Sequence, residues 1–518
     1  MDILFSEGSQ KQTTQLSEET IKDIALYEII NQMSTDALEL KILQKIMTAI
    51  PCDWADMMFR QNIIKDLFEN QELCNKLNTI LAQINILKDY GGFRKVQMDK
   101  DYSLYSLLQE LRELVVYVNI VEDLYNALLE NEITSQGLIS LRNYLEKIVK
   151  DEKFCVAKKD ITVMHENLSN VRGALIGINF TPDLNIENVS AVEFVPHRIR
   201  SNYTLADIAV GSKLSSALHF QRIDDPLLVG LAPKLEKHLK KHYYEIKKTL
   251  SKYIDYDSSF ITEMYEGLTF YIKSAEFGHK LKNKGYEFCF PQIKQDTNNK
   301  LTATDFYNIR LAVSDEENIV KNDFAFTKQE HLFILTGPNR GGKTIVEQAL
   351  GLISVMMSLG MFVTAKTCTG LPFKNILTHF PIDENLTINY GRLGEEAVRI
   401  KEIVKLADKN TLILFNETFS TTSSADALYL SMDLLHVLKD KGSSVIFNTH
   451  IHELVDKVPD MNKWDGEGNI TSLVMEIKDN VNTFKLKQGI PDTGSYAYNI
   501  ALKYGITYEQ MKKASTAD

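Results

Sequence analysis

The chain has 518 residues, 44% of them hydrophobic and 25% charged, with a formal net charge of −11. Its length suggests about three domains, and its composition is that of a soluble globular chain able to bury large cores. The negative balance excludes a global electrostatic pull toward nucleic acid, so any such contact has to come from local basic surfaces.

The five cysteines, Cys52, Cys74, Cys155, Cys289 and Cys368, are widely spaced and form no CxxC. That argues against a zinc site or a disulfide framework and fits a reducing compartment. The first residues, Met1-Asp2-Ile3-Leu4-Phe5-Ser6-Glu7, have neither the basic region nor the long apolar core of a secretory signal. The expected location is therefore cytoplasmic.

In chain order, the first third reads as helical. Residues 38–50 and 136–149 carry apolar positions at helical spacing, and Leu104, Leu107, Leu108, Leu111, Leu114, Val115, Val118 and Val121 mark one face of a long helix. A further helix-compatible segment covers 161–178 and runs into Asn179-Phe180-Thr181-Pro182-Asp183. Val192-Glu193-Phe194-Val195 reads as a strand, and 178–215 as a small β-rich insertion. A basic helical stretch follows, with Lys234, Lys237, Lys240, Lys241, Lys247, Lys248 and Lys252. It is read either as a phosphate contact or as a solvated face balanced by Glu236 and Glu245. Residues 260–281 predict a returning helix. From Leu301 short apolar strands alternate with helical segments, which argues for a mostly parallel sheet. The apolar stretch 349–365, broken by Ser354, Ser358 and Thr364, is read as a buried helix and not as a membrane span.

The most informative segment is Thr336-Gly337-Pro338-Asn339-Arg340-Gly341-Gly342-Lys343-Thr344, directly after the apolar run Leu332-Phe333-Ile334-Leu335. From Gly337 to Thr344 it matches G-x-x-x-x-G-K-[ST] on a strand-to-helix turn. Gly337, Gly341 and Gly342 let the backbone close around phosphates, and the following helix offers its N-terminus to negative charge. Lys343 has the reach for β- and γ-phosphates, and the Thr344 hydroxyl suits Mg²⁺.

Two more buried-strand candidates end in polar residues. Thr411-Leu412-Ile413-Leu414-Phe415 leads into Asn416-Glu417, where nucleotide hydrolases hold Mg²⁺ or orient water. Glu417 is the candidate base. Ser444-Val445-Ile446-Phe447 leads into Asn448-Thr449-His450, and His450 is the candidate γ-phosphate sensor. All three tips are expected at the C-terminal ends of neighbouring strands, where open α/β sheets place ligands.

Together these segments resemble the MutS family of DNA mismatch-repair ATPases, which are ABC-type. The loop 336–344 is close to the family's TGPNxGGKS/T. Asn416-Glu417-Thr418-Phe419-Ser420-Thr421-Thr422-Ser423 corresponds to its DE-x-GRGTS, and Asn448-Thr449-His450-Ile451-His452-Glu453-Leu454 to its ATH-x-x-EL. Gly494-Ser495-Tyr496-Ala497 resembles its SYG turn, and Phe59-Arg60-Gln61-Asn62-Ile63-Ile64 sits as in its helical core. The resemblance implies an α-helical core and lever region with a small β-rich clamp insertion, followed by an α/β ABC-type P-loop ATPase domain. It divides the chain into a helical core (1–155), lever helices and clamp (156–255), a return helix (256–295) and the ATPase domain (296–518).

It further implies ATP and Mg²⁺ at Gly337, Pro338, Asn339, Arg340, Gly341, Gly342, Lys343, Thr344 and Asn416, with Thr344 and Asn416 as metal ligands. Glu417, His450 and Lys343 are the expected catalytic residues. A composite site in a homodimer is expected, with DNA held by its backbone and not by base readout.

The chain departs from the family pattern in several places. The mismatch-reading and connector domains and the Smr nuclease domain of a related branch are expected to be missing. Phe5-Ser6-Glu7 matches the reading motif Phe-x-Glu only by accident. Asn416 stands where the family has aspartate. The signature segment reads Tyr390-Gly391-Arg392-Leu393-Gly394-Glu395-Glu396, with its serine replaced around Leu393. Arg392 is then the candidate for reaching a partner's γ-phosphate, or else for pairing with Glu395 or Glu396 of its own chain. A rival expectation is a nucleotide-gated scaffold that binds ATP, hydrolyses it poorly and grips a protein.

Overall fold

The computed structural model describes residues 3–89, 104–168, 173–183, 186–195, 244, 247–250, 252, 259–294, 299–316, 318–338, 340–381, 392–478, 481–490 and 505–515. They fall into two compact units. One comprises 1–3, 75–133 and 138–268, and the other 4–74, 134–137 and 269–518.

The chain opens with β1 (Thr13–Gln15), α1 (Glu18–Asp23), α2 (Leu26–Met33), α3 (Ala37–Met47), β2 (Ala49–Pro51) and α4 (Trp54–Glu69). Side-chain caps start three of these helices: Ser17 accepts from Thr20 N–H, Asp36 from Leu38 and Glu39 N–H, and Asp53 from Ala55 N–H. The helix expected over 38–50 ends at Met47. Ile50 instead pairs with Thr14 in the antiparallel β1–β2 ladder. The N-terminal segment is fastened to α4. The fully buried Asp56 carboxylate accepts from Ser6 N–H at 2.8 Å and from the hydroxyls of Ser6 and Ser9 at 2.6 Å. Arg60 donates through Nε to Leu4 O at 2.9 Å and stacks its guanidinium 5.2 Å from the Phe5 ring centroid. Phe5 thus has a packing role.

The helical unit contains most of α5 (Gln71–Asp89), α6 (Leu104–Glu130), most of α7 (Gln136–Val149), α8 (Glu152–Leu168), and the hairpin β3 (Gly173–Phe180) with β4 (Ile186–Val195). Leu111, Leu114, Val118, Val121, Leu124 and Leu128 form the buried stripe of α6, and Leu138, Leu141 and Leu145 that of α7. Tyr117 meets Phe154 and Phe260 edge-on at 6.4 and 6.2 Å, which ties α6 to its neighbours. The helix expected over 161–178 stops at Leu168. Its second half becomes β3, where Leu175, Ile176 and Ile178 supply the β-branched and apolar residues that a strand favours. The expected strand 192–195 is the end of β4. The rest of the expected insertion, 196–215, and Lys234, Lys237, Lys240 and Lys241 lie outside the described residues.

The second unit resumes in α9 (Ser259–Asn283), which begins in the first, and continues through β5 (Gln292–Ile293), β6 (Asn299–Phe306), α10 (Ile309–Val313), β7 (Asn322–Thr327), β8 (Glu330–Thr336), α11 (Lys343–Ser358), β9 (Thr367–Gly370) and β10 (Asn375–His379). After these come α12 (Arg392–Leu406), β11 (Thr411–Asn416), α13 (Ser424–Asp440), β12 (Ser444–Asn448), α14 (Glu453–Asp456), α15 (Val458–Met461), β13 (Asn469–Lys478), β14 (Val481–Gln488) and α16 (Tyr508–Ser515).

A six-stranded sheet has the order β10-β11-β12-β8-β13-β14, parallel except for the β13–β14 edge. A second sheet has the order β5-β9-β6-β7. Strands β11 and β12 are buried at every position. That is why they read as unbroken apolar runs and not as alternating ones. On one face Leu332, Ile334, Ile413, Phe415, Val445 and Phe447 pack with Ile400 and Ile403 of α12 and Leu434, Leu435 and Leu438 of α13. No helix among the described residues is long and apolar enough to cross a membrane.

Burial lowers the pKa of His331, on β8, from 6.5 to about 4, with Lys300 and Lys439 adding to the effect. The folded chain therefore holds a neutral imidazole that the unfolded chain protonates first. Its contribution to stability is complete above pH 6.5 and is lost as the pH falls from 6.5 toward 4. His331→Gln removes this titration. Melting temperatures measured across that range should fall less steeply for the variant than for the parent, by an amount corresponding to about 1–3 kcal/mol.

Candidate nucleotide site

The site grows from three strand ends. β8 runs into the loop 337–342, and α11 begins at Lys343. Gly342 caps that helix at φ 94°, and no side chain caps its amides. Its first N–H groups are thus left for a ligand, at the positive end of a 16-residue helix. Gly337 lies at φ 141°, where a Cβ would come 3.0 Å from Met475 Cβ, so glycine is required for the loop to leave the sheet beside β13. Gly341 N–H closes the turn on Pro338 O at 3.1 Å, and Arg340 takes the left-handed φ of 61°. Asn339 lies outside the described residues.

Lys343 is buried, and its Nζ folds back onto Gly337 O at 2.9 Å and Pro338 O at 3.2 Å. Burial lowers its pKa, while Glu417 and Glu347 pull it upward. An ammonium that only neutral carbonyls solvate inside its own loop is a group that an anion would suit. Thr344 lies one residue on, at the wall of a cavity of about 540 Å³. Pro338, Arg340, Gly341, Gly342 and Lys343 of the loop line the cavity with Glu417, and Tyr307, Ile319 and Phe484 add an apolar part of its wall. Asn308 anchors that wall to the helix by donating to Ile345 O at 2.9 Å.

Strands β8, β12 and β11 are in register, with Leu335 opposite Asn448 and Asn448 opposite Asn416. The residues after them are consequently neighbours. His450 Nε2 lies 2.7 Å from Glu417 Oε1, with both side chains a little over one-third exposed. Glu417 has φ 51° and Phe419 φ 63°, a left-handed pair without glycine. Glu417 N–H donates to Asn448 O at 2.9 Å.

Beneath them lies a buried polar row. Asn448 Nδ2 donates to Asn416 Oδ1 at 2.6 Å and to Glu347 Oε2 at 3.3 Å. Glu347 is fully buried, which raises its pKa well above the usual carboxylate range against the Asn448 bond that lowers it. Asp23 and Glu417 push it the same way as burial.

The structure therefore brings together Lys343, Thr344 and Glu417 at one cavity, joins His450 to Glu417, and holds Asn416 through Asn448. The side chain of Arg392 lies outside the described residues, as do Tyr390, Gly391 and the turn 494–497. Glu396 Oε1 accepts Phe419 N–H at 2.7 Å. Sequence reasoning missed Glu347 and Phe484 as parts of the site, and named Glu396 only within the signature segment and as an alternative partner of Arg392. A glutamate inside the otherwise apolar helix after the loop was the available signal for Glu347.

Comparison with known proteins matches residues 333–517 to MutS domain V, the family's ATPase domain, and residues 52–284 to the MutS2 N-terminal domain. Endonuclease MutS2 of Staphylococcus aureus strain JH9 is 30% identical over 265 residues, which is 51% of this chain and 32% of that protein. The same protein of strain Newman matches to the same extent. The aligned stretch thus spans about a third of the length of these curated relatives. The loop geometry, the three in-register strand ends and the two family matches agree, and the chain belongs to the MutS family.

Proposed function

We propose that the chain is an ATPase that binds ATP with Mg²⁺ in a composite dimer site and uses the nucleotide state to close lever helices on DNA, in repair or recombination. The observation that carries this reading is the cavity in which the start of α11, which no side chain caps, the buried Lys343 and Glu417 converge, with His450 hydrogen-bonded to Glu417.

The loop amides and Lys343 would hold phosphate oxygens. The Thr344 hydroxyl and Asn416 would hold Mg²⁺, which when bound neutralises phosphate charge. Asn416 Oδ1 already accepts from Asn448, which leaves one lone pair for a cation or its water. Glu417 is suited to take the proton of an attacking water: it stands at the rim of the cavity, and His450 fixes one carboxylate oxygen. The apolar part of the wall, with Tyr307, Ile319 and Phe484, offers a surface to a nucleobase. Arg392 suits a partner's γ-phosphate, because a guanidinium presents a planar, permanently charged fork. The domain division at 155, 255 and 295 belongs to the same reading.

A second reading, a scaffold that binds ATP, hydrolyses it poorly and grips a protein, is favoured by one observation. Asn416 brings no charge to the metal position, and its oxygen is already hydrogen-bonded. Filter binding with duplex and branched DNA, with and without ATP, separates the two. Retention of DNA supports the first reading, and its absence in every state supports the second.

Lys343→Ala should abolish ATP binding in a calorimetric titration and leave the circular dichroism spectrum unchanged, because among the described residues the ammonium's hydrogen bonds go to its own loop. Unchanged affinity would overturn the assignment of the loop. Glu417→Gln should keep ATP bound and slow turnover by about 10²-fold or more. By trapping ATP, this variant should also shift the chain to a dimer in light scattering at saturating ATP–Mg²⁺. A persistent monomer would refute the composite site.

A further inference from the structure

Glu417 sits on a turn that the backbone does not favour. Two of three successive residues, Glu417 and Phe419, have left-handed φ values of 51° and 63°, and neither is glycine. Such residues cost on the order of 1–3 kcal/mol each and persist only where the surroundings fix them. Three contacts do so here. Glu417 N–H donates to Asn448 O. Thr418 Oγ1 lies 3.1 Å from His379 Nδ1, in a hydrogen bond at the end of β10. Phe419 N–H donates to Glu396 Oε1 at 2.7 Å, and the Phe419 ring is buried in the core beside Ile400 and Ile403.

The third contact comes from outside the strand tips. Glu396 belongs to α12, four residues after Arg392 at the start of that helix. Its carboxylate is 13% exposed, and its Oε1 also lies 3.9 Å from His379 Nε2. A charged acceptor on a backbone N–H is among the stronger hydrogen bonds, and its loss would leave a strained peptide group without a partner.

We propose that Glu396 is a positioning residue for Glu417: by accepting the Phe419 N–H it locks the turn that aims Glu417 into the cavity, and so joins the helix that begins at Arg392 to the hydrolytic step. The inference rests on the reading of Glu417 as the base. Glu396 is not among the residues that line the cavity. Its effect runs through the turn 417–419, so it governs turnover and not nucleotide affinity.

The test uses the full chain with Glu396→Ala, Glu396→Asp and Glu396→Gln, each alone and combined with Glu417→Gln. ATP turnover, the Kd of a fluorescent ATP analogue and the thermal melt are measured for each. Glu396→Ala should lower kcat about tenfold or more, as expected for a misplaced catalytic group, with Kd changed less than about twofold. Glu396→Gln keeps an oxygen acceptor for Phe419 N–H and should stay within about threefold of the parent. Glu396→Asp keeps the charge but falls short by one methylene, so it should behave like alanine. In the Glu417→Gln background every Glu396 substitution should add less than about twofold, because its route of action is already broken.

The proposal is overturned if Glu396→Ala leaves kcat unchanged, if its loss is as large in the Glu417→Gln background, or if Kd rises in step with the fall in kcat. Should the alanine variant fail to fold, the contrast between aspartate and glutamine decides, and equal rates for the two overturn the proposal. If Glu417→Gln alone leaves turnover intact, the reading of Glu417 as base fails first and takes the proposal with it.

Discussion

The in-register parallel pairing of β8, β12 and β11 is the constraint from which the site follows. Parallel strands end on the same side of a sheet, and the pairing of Leu335 with Asn448 and of Asn448 with Asn416 puts those ends level. A slip of one residue would turn every side chain of the slipped strand to the opposite face. Phe415 and Phe447 would leave the core they share with α13, and Asn448 would no longer lie against Asn416. Burial of both faces thus sets the register, and the register sets the distance between Glu417 and His450. The loop at the end of β8 adds the helix terminus and the lysine. Packing fixes the polar chemistry here.

Beneath the strand tips the polar groups are few and interdependent. Asn448 gives its amide to two acceptors, Asn416 and Glu347, and so fixes which way the Asn416 amide faces. In a low-dielectric interior such a bond is stronger than in water, and an unpaired polar atom is correspondingly costly. Glu347 and Asn448 each keep one buried oxygen without a hydrogen bond. The upward push that burial and Asp23 give the Glu347 carboxyl favours its neutral form.

Much of this was legible in the chain because the relevant elements announce themselves locally. The apolar runs before Gly337, Asn416 and Asn448 are strands of a sheet buried on both faces, and Gly337 and Gly342 of the loop sit at positive φ. Helices α7 and α9 end within a few residues of the expected 136–149 and 260–281, because their stripes are regular. The misses have physical causes too. Residues 161–178 read as one helical segment, but pairing with β4 makes 173–178 part of a strand. Ile50 reads as a helical position until β1 pairs with it. Glu396 and Phe419 are 23 residues apart, and their bond depends on a φ of 63° at a phenylalanine, which no propensity announces.

The fastening of the first residues to α4 carries a practical consequence. Asp56 and Arg60 are ionisable side chains inside the core, and the segment 4–9 supplies partners to both: the Ser6 and Ser9 donors to Asp56, the Leu4 carbonyl and the Phe5 ring to Arg60. A recombinant version trimmed to the first helix would lose no functional motif and would look harmless on paper. It would nevertheless strip a buried carboxylate of three donors and a buried guanidinium of its carbonyl acceptor, a class of loss that costs about 3–5 kcal/mol when a buried charge loses its partner. Purification handles therefore belong after a flexible spacer, or at the other end of the chain. Poor yield from a shortened version would report on this anchorage and not on the nucleotide site.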